Sequence, residues 1–158
     1  MSRLTAVAGL LASLLLGCSA TRPYLSDAED NLFIATHIES GILSGVAASI
    51  DVYAIGDNCE THYRGTVSLD DSKTKVGVET GVPVQLVFRF ESSSFFAGSR
   101  SSMDYDVVLF PEFGHHYDID VSYRDDIYNV EVRERPRGRS EGTPMIVRRE
   151  TQGCHNQA

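Results

Sequence analysis

The cleanest pattern in the chain is at Val84, Leu86, Phe88 and Phe90, apolar at every second position with Gln85 and Arg89 between them. A strand sends successive side chains to opposite faces, so a period of two predicts one buried face and one wet face. The same alternation recurs at Tyr105, Val107 and Leu109 against Asp104 and Asp106, and at Tyr117, Ile119, Val121 and Tyr123 against Asp118, Asp120 and Ser122. Tyr128, Val130 and Val132 alternate with Asn129, Glu131 and Arg133, and Tyr63, Gly65, Val67 and Leu69 alternate with polar neighbours. Leu32–Ile38 and Ser49–Ile55 are apolar and β-prone, Lys75–Glu79 predicts a short strand, and Met145–Arg149 a last one. Ile42–Ser49 is small and Gly-containing, which leaves strand, turn and short helix open.

Turn signals separate these runs: Gly56-Asp57-Asn58, Asp70-Asp71-Ser72, Thr80-Gly81, Pro111-Glu112-Phe113-Gly114 and Asp125-Asp126. Glu91–Ser102 and Pro136–Gly142 are predicted as loops because they are rich in Ser, Gly and charge without a period. Short strands spaced by turns, with no long amphipathic helix, predict an all-β fold. The expected architecture is an antiparallel β-sandwich of about seven to eight strands, filling residues 31–158.

The first residues follow a different pattern. Arg3 gives a positive start, Leu4–Leu16 is apolar apart from Thr5, Gly9 and Ser13, and the run ends in Leu15-Leu16-Gly17-Cys18. The run is too short for an ordinary transmembrane helix and suits an export signal. Its end resembles the lipobox of bacterial lipoproteins, with Leu16 where smaller residues are commoner. The resemblance implies a signal peptide over 1–17, a diacylglyceryl group on the Cys18 thiol and cleavage before it. The membrane is then the first partner, through lipid on Cys18. Two or three acyl chains hold a protein stably where one does not. Ser19 follows Cys18 in place of an inner-membrane-retaining Asp, which points to the outer membrane, facing the periplasm or the cell surface. Residues 18–30 are polar and irregular and are expected to form a lipidated tether.

The formal charge is −8 at pH 7. An acidic chain makes nucleic acid an unsuitable partner, since duplex binding rests on Lys and Arg neutralising phosphates. With Cys18 lipidated, Cys59 and Cys154 remain, and an even remainder in an exported protein predicts a disulfide. The bridge would close a loop of nearly a hundred residues, a constraint assigned about 4–5 kcal/mol by the chain-entropy account.

Candidate chemistry is sparse. His115 and His116 beside Asp118 and Asp120 offer imidazole and carboxylate, which suit zinc, copper or nickel. On one strand His116, Asp118 and Asp120 share a face and His115 points the other way, so the competing reading is a solvated strand face. The paired acids Asp104, Asp106, Asp118, Asp120, Asp125 and Asp126 suggest either calcium or a charged face that discourages edge-to-edge aggregation. Arg133, Arg135, Arg137 and Arg139 fall on every second residue, a basic stripe suited to lipid phosphates or an acidic partner unless nearby glutamates neutralise it. Phe95 and Phe96 lie in the serine-rich stretch and either tuck onto the core or form a contact site. The turn Gly114-His115-His116-Tyr117 resembles small PEGA-like and transthyretin-like β-modules of surface proteins; the likeness spans four residues and carries no function. No Gly-x-Ser-x-Gly, phosphate loop, dinucleotide fingerprint or zinc-protease motif occurs, so no cofactor is expected. Two functions stand at this point. One is a membrane-anchored envelope lipoprotein acting as a non-enzymatic binding or scaffolding module. The other is a hydrolase or metal-binding protein using His115, His116, Asp118 and Asp120.

Overall fold

The computed structural model describes residues 21–39, 44–94, 100–125 and 127–145. Nine strands and no helix occur among them: β1 (Leu32–Ile38), β2 (Ser44–Ile55), β3 (Thr61–Ser68), β4 (Lys73–Val76), β5 (Val84–Ser94), β6 (Arg100–Leu109), β7 (His115–Arg124), β8 (Ile127–Pro136) and β9 (Thr143–Pro144). They form a five-stranded sheet in the order β4-β1-β7-β8-β9 and a four-stranded sheet in the order β3-β2-β5-β6. The two pack face to face around one core, so the chain is an all-β sandwich.

Alternation decides which side chains enter that core. Val84, Leu86, Phe88 and Phe90 of β5 are all buried, and the two phenylalanines are fully enclosed. Ile50 and Val52, Val107 and Leu109 join them from the same sheet, and Leu32, Ile34, Tyr117, Ile119, Val121, Val130 and Val132 come from the opposite one. Phe90 meets Tyr128 across the sandwich with ring centroids 4.8 Å apart.

Three expectations change. The sandwich is not wholly antiparallel: β1 runs parallel to β7, Leu32 beside Tyr117 and Ile38 beside Tyr123. The chain leaves β1 for the other sheet, returns as β4 on one flank, leaves again, and returns as β7 on the other. Second, Ile42–Ser49 and Ser49–Ile55 are not separate elements, since one strand, β2, covers Ser44–Ile55. Third, Ser92 and Ser93 are strand residues. They pair with Val46 and Gly45 on one side and with Ser101 and Arg100 on the other. Small polar residues carry no hydrophobic period, but their backbones still complete a ladder when β2 lies alongside. Phe95 and Phe96 lie outside the described residues, as do Cys18, Cys154 and most of the segment Met145–Arg149.

Of the segment 18–30, the described part is docked on the sandwich. Pro23 bridges in parallel to Thr66, with Tyr24 N donating to Thr66 O at 2.9 Å and Thr66 N to Arg22 O at 2.8 Å. The Tyr24 hydroxyl donates to Gly77 O at 3.0 Å. Buried Asn31 closes the segment, its amide gripping both backbone groups of Val78 at 2.9 Å. Two glycines make room. A Cβ on Gly65, whose φ is +146°, would lie 2.6 Å from Tyr24 Cα, and one on Gly77 would overlap the Ala28 carbonyl. Glycine inside a strand pattern often marks such a close backbone approach.

Candidate functional site

The β7–β8 hairpin turns at Asp125, whose φ is +50°. Its register sets His115 opposite Pro136, His116 opposite Arg135 and Tyr117 opposite Glu134. His115 and Tyr117 fall on one side of β7, and Tyr117 is fully buried. Upstream, the turn through Gly114 (φ +77°) lets His115 N donate to Glu112 O at 3.2 Å. This folds Glu112 back over the strand start.

These elements bring together a His, two Glu and a Tyr. His115 Nδ1 is 2.8 Å from Glu134 Oε1 and 3.9 Å from Glu112 Oε2. One ligand atom from each of the three lies within 4.8 Å of the others. The Tyr117 hydroxyl donates to Glu134 Oε1 at 3.1 Å and accepts from Glu112 N at 2.9 Å. Burial, reinforced by the Glu134 carboxylate beside it and opposed by the Glu112 N–H, pushes the Tyr117 phenol up to about 12. Tyr117 is therefore a fixed neutral donor that orients Glu134. His115 and Glu134 are about one quarter exposed, and Glu112 is open to solvent.

The other expected ligands point away. His116 packs on the Phe33 ring at 4.9 Å. Asp118 takes two N–H bonds from Arg135, at 2.8 and 3.0 Å, and the guanidinium holds its carboxyl below the usual carboxylate range. Asp120 lies 3.6 Å from His37. The structure thus gathers His115 with Glu112 and Glu134, and not with His116, Asp118 and Asp120. Strand alternation separates them. His116, Asp118 and Asp120 sit on the outer face of the five-stranded sheet. There Asp118 and Asp120, with Phe33, Lys73, Lys75 and Arg133, line an open depression of about 360 Å³.

The arginine stripe is largely occupied. Arg133 meets Glu131 at 3.4 Å, Arg135 holds Asp118 and Arg137 pairs with Glu29, while Arg139 enters only through its backbone carbonyl, which accepts from Arg135 Nη1 at 3.1 Å. Cys59, at φ +65° in the turn after β2, is disulfide-bonded, and its partner lies outside the described residues.

Sequence reasoning missed Glu112 and Glu134 as site residues. The signal for Glu134 was present: a two-residue turn at Asp125-Asp126 fixes every pairing of the hairpin, including Tyr117 with Glu134. It also missed Asp51, buried on the outer side of β2, where Thr66 donates to it and Arg89 Nη1 stands 3.1 Å away. Arg89 continues to Asp104 at 3.1 Å, and Gln85 reaches Asp106 at 3.2 Å. No sequence pattern announces an acid buried under a neighbouring strand's arginine. Compared with known protein families, curated proteins and solved structures, the chain matches none.

Proposed function

We propose that this protein is a lipid-anchored envelope lipoprotein of the outer membrane, a binding or scaffolding module whose contact element is the outer edge of β6, an edge strand of its sheet among the described residues. The observation that supports this reading is how the sheet edges differ. β3 is covered at Thr66 by Pro23 and Tyr24. β4 has four residues and β9 two, one of them Pro144. β6 has ten and, among the described residues, one neighbouring strand. An uncovered edge offers backbone groups to an extended partner segment, which adds as a further strand.

The anchoring half rests on the lipobox-like Leu15-Leu16-Gly17-Cys18, and the docked segment Arg22–Asn31 sets its geometry. Three residues separate Cys18 from Arg22, so lipid on Cys18 would hold the sandwich within roughly 15 Å of the attachment point. With the Cys18 thiol acylated, Cys154 is the partner left for Cys59. The Cys18→Ala variant is expected to stay uncleaved or soluble, and fatty acid incorporating equally into it would reject the anchor. A photo-crosslinking residue at Ser102 of β6 is expected to capture a discrete partner, and one at Asn129 of β8 is not. Equal capture from both, or none from Ser102, would reject the edge.

A further inference from the structure

We propose that Glu112, His115 and Glu134 form a site for one divalent transition-metal ion of the zinc class, at the turn that links the two sheets between β6 and β7. The ligands are one imidazole nitrogen and two carboxylate oxygens. That mixture suits zinc or cobalt; calcium takes six to eight oxygens and does not favour imidazole.

The two distances from His115 fit with little movement, and the two carboxylates lie within 4.8 Å of each other. Zinc bonds of 2.0–2.2 Å in a tetrahedron place ligand atoms about 3.4 Å apart. His115 Nδ1 stands 2.8 Å from Glu134 Oε1 and 3.9 Å from Glu112 Oε2. One separation must open and the other close, each by roughly half an ångström. The exposed Glu112 side chain, on the turn, is free to make its shift.

The surroundings complete the case. With the imidazole deprotonated to bind a metal, the three ligands carry a charge of −2, which a divalent ion cancels. Arg133 and Arg135, which flank Glu134 on β8, are engaged by Glu131 and Asp118, and Arg137, just past the strand, by Glu29. Tyr117 donates to Glu134 from beneath, the kind of outer hydrogen bond that fixes a metal-binding carboxylate. The fourth position, on the Glu112 side, opens to solvent and would be filled by water or a partner's side chain.

The test is titration of the purified, EDTA-treated full chain with ZnCl2 by calorimetry, and with CoCl2 by visible absorption. One ion per chain is expected, with a d–d band of low-symmetry cobalt. His115→Ala and Glu112→Gln should each weaken zinc binding at least tenfold. Tyr117→Phe should weaken it by about tenfold, because the hydroxyl holds both the Glu134 carboxylate and the Glu112 backbone N–H. His116→Ala should leave it unchanged. Glu112→Gln alters an exposed side chain, so it keeps the test decisive even where His115→Ala does not fold. Failure of the full chain to take up zinc, or uptake that survives both His115→Ala and Glu112→Gln, would overturn the proposal.

Discussion

Replacing Gly77 with Ala tests whether the docked N-terminal segment is part of the folded domain. The new Cβ would stand 2.8 Å from the Ala28 carbonyl carbon, closer still to its oxygen, and 3.1 Å from Glu29 O. These are backbone atoms and cannot rotate aside, so the segment must lift. Four hydrogen bonds lie in its path: Tyr24 Oη to Gly77 O at 3.0 Å, Asn31 N to Val76 O at 3.2 Å, and the two Asn31–Val78 bonds at 2.9 Å. At about 1 kcal/mol each, their loss costs about 3–4 kcal/mol, with more for any polar group of Asn31 left buried without a partner. The exposed Arg137–Glu29 pair adds little. Gly81→Ala serves as the control. Gly81 has φ +80° and open space at its Cβ. It should cost only the roughly 1–2 kcal/mol of a left-handed backbone. Urea unfolding of both variants, with hydrogen exchange at the Val78 amide, reads the difference. If Gly77→Ala costs no more than Gly81→Ala and Val78 stays protected, the segment is not held as described.

Three other outcomes follow from the same geometry. Phe88→Ala, which empties a fully enclosed site, should cost about 3–5 kcal/mol in urea unfolding; a cost below about 1 kcal/mol would contradict its place in the core. Tyr117 has its phenol raised to about 12, so its contribution is complete below pH 10 and is lost as pH climbs through 12. That loss is on the order of 2 kcal/mol, and Tyr117→Phe should flatten the alkaline arm of the stability curve. Asp118 is held low by Arg135, so its contribution is complete above the ordinary carboxylate range and is lost as pH falls through the lowered value. Arg135→Gln should therefore raise the acid unfolding midpoint, and an unmoved midpoint would show that the pair contributes nothing.

The core was legible because it is local. Phe88 and Phe90 alternate with charged and polar residues, and their burial follows from strand geometry alone. The opposite faces of His115 and His116 were legible for the same reason. The partners of each face were not. Glu112 reaches His115 through a turn conformation, and Glu134 through a register 19 residues away in sequence. The parallel pairing of β1 with β7 depends on strand order, which no window of residues encodes. Gly65 and Gly77 were visible as glycines in alternating stretches. What they admit is a segment whose own composition, polar and irregular, resembles a free linker. The serine-rich ends of β5 and β6 lack a hydrophobic face and so lack a period. They are strands because β2 extends beside β5, and β5 in turn beside β6.

The acids on the four-stranded sheet bear on its β6 edge. Asp104 and Asp106 were expected either to bind calcium or to form a charged solvent face that discourages edge-to-edge aggregation. In the structure both are engaged from β5, Asp104 by Arg89 and Asp106 by Gln85. Gln85 is neutral and only orients Asp106, whereas Arg89 draws Asp104 across the sheet and partly neutralises this carboxylate. It repels an incoming strand less than a solitary one would. β3, at the opposite edge, is bridged at Thr66 by Pro23 and Tyr24, while Thr61, His62, Tyr63 and Arg64 are exposed. The fold therefore occupies part of one edge with backbone and reduces charge near the other through the Arg89–Asp104 pair. Among the described residues β6 is the longest of the four edge strands and has one neighbouring strand, and the proposed strand addition rests on that.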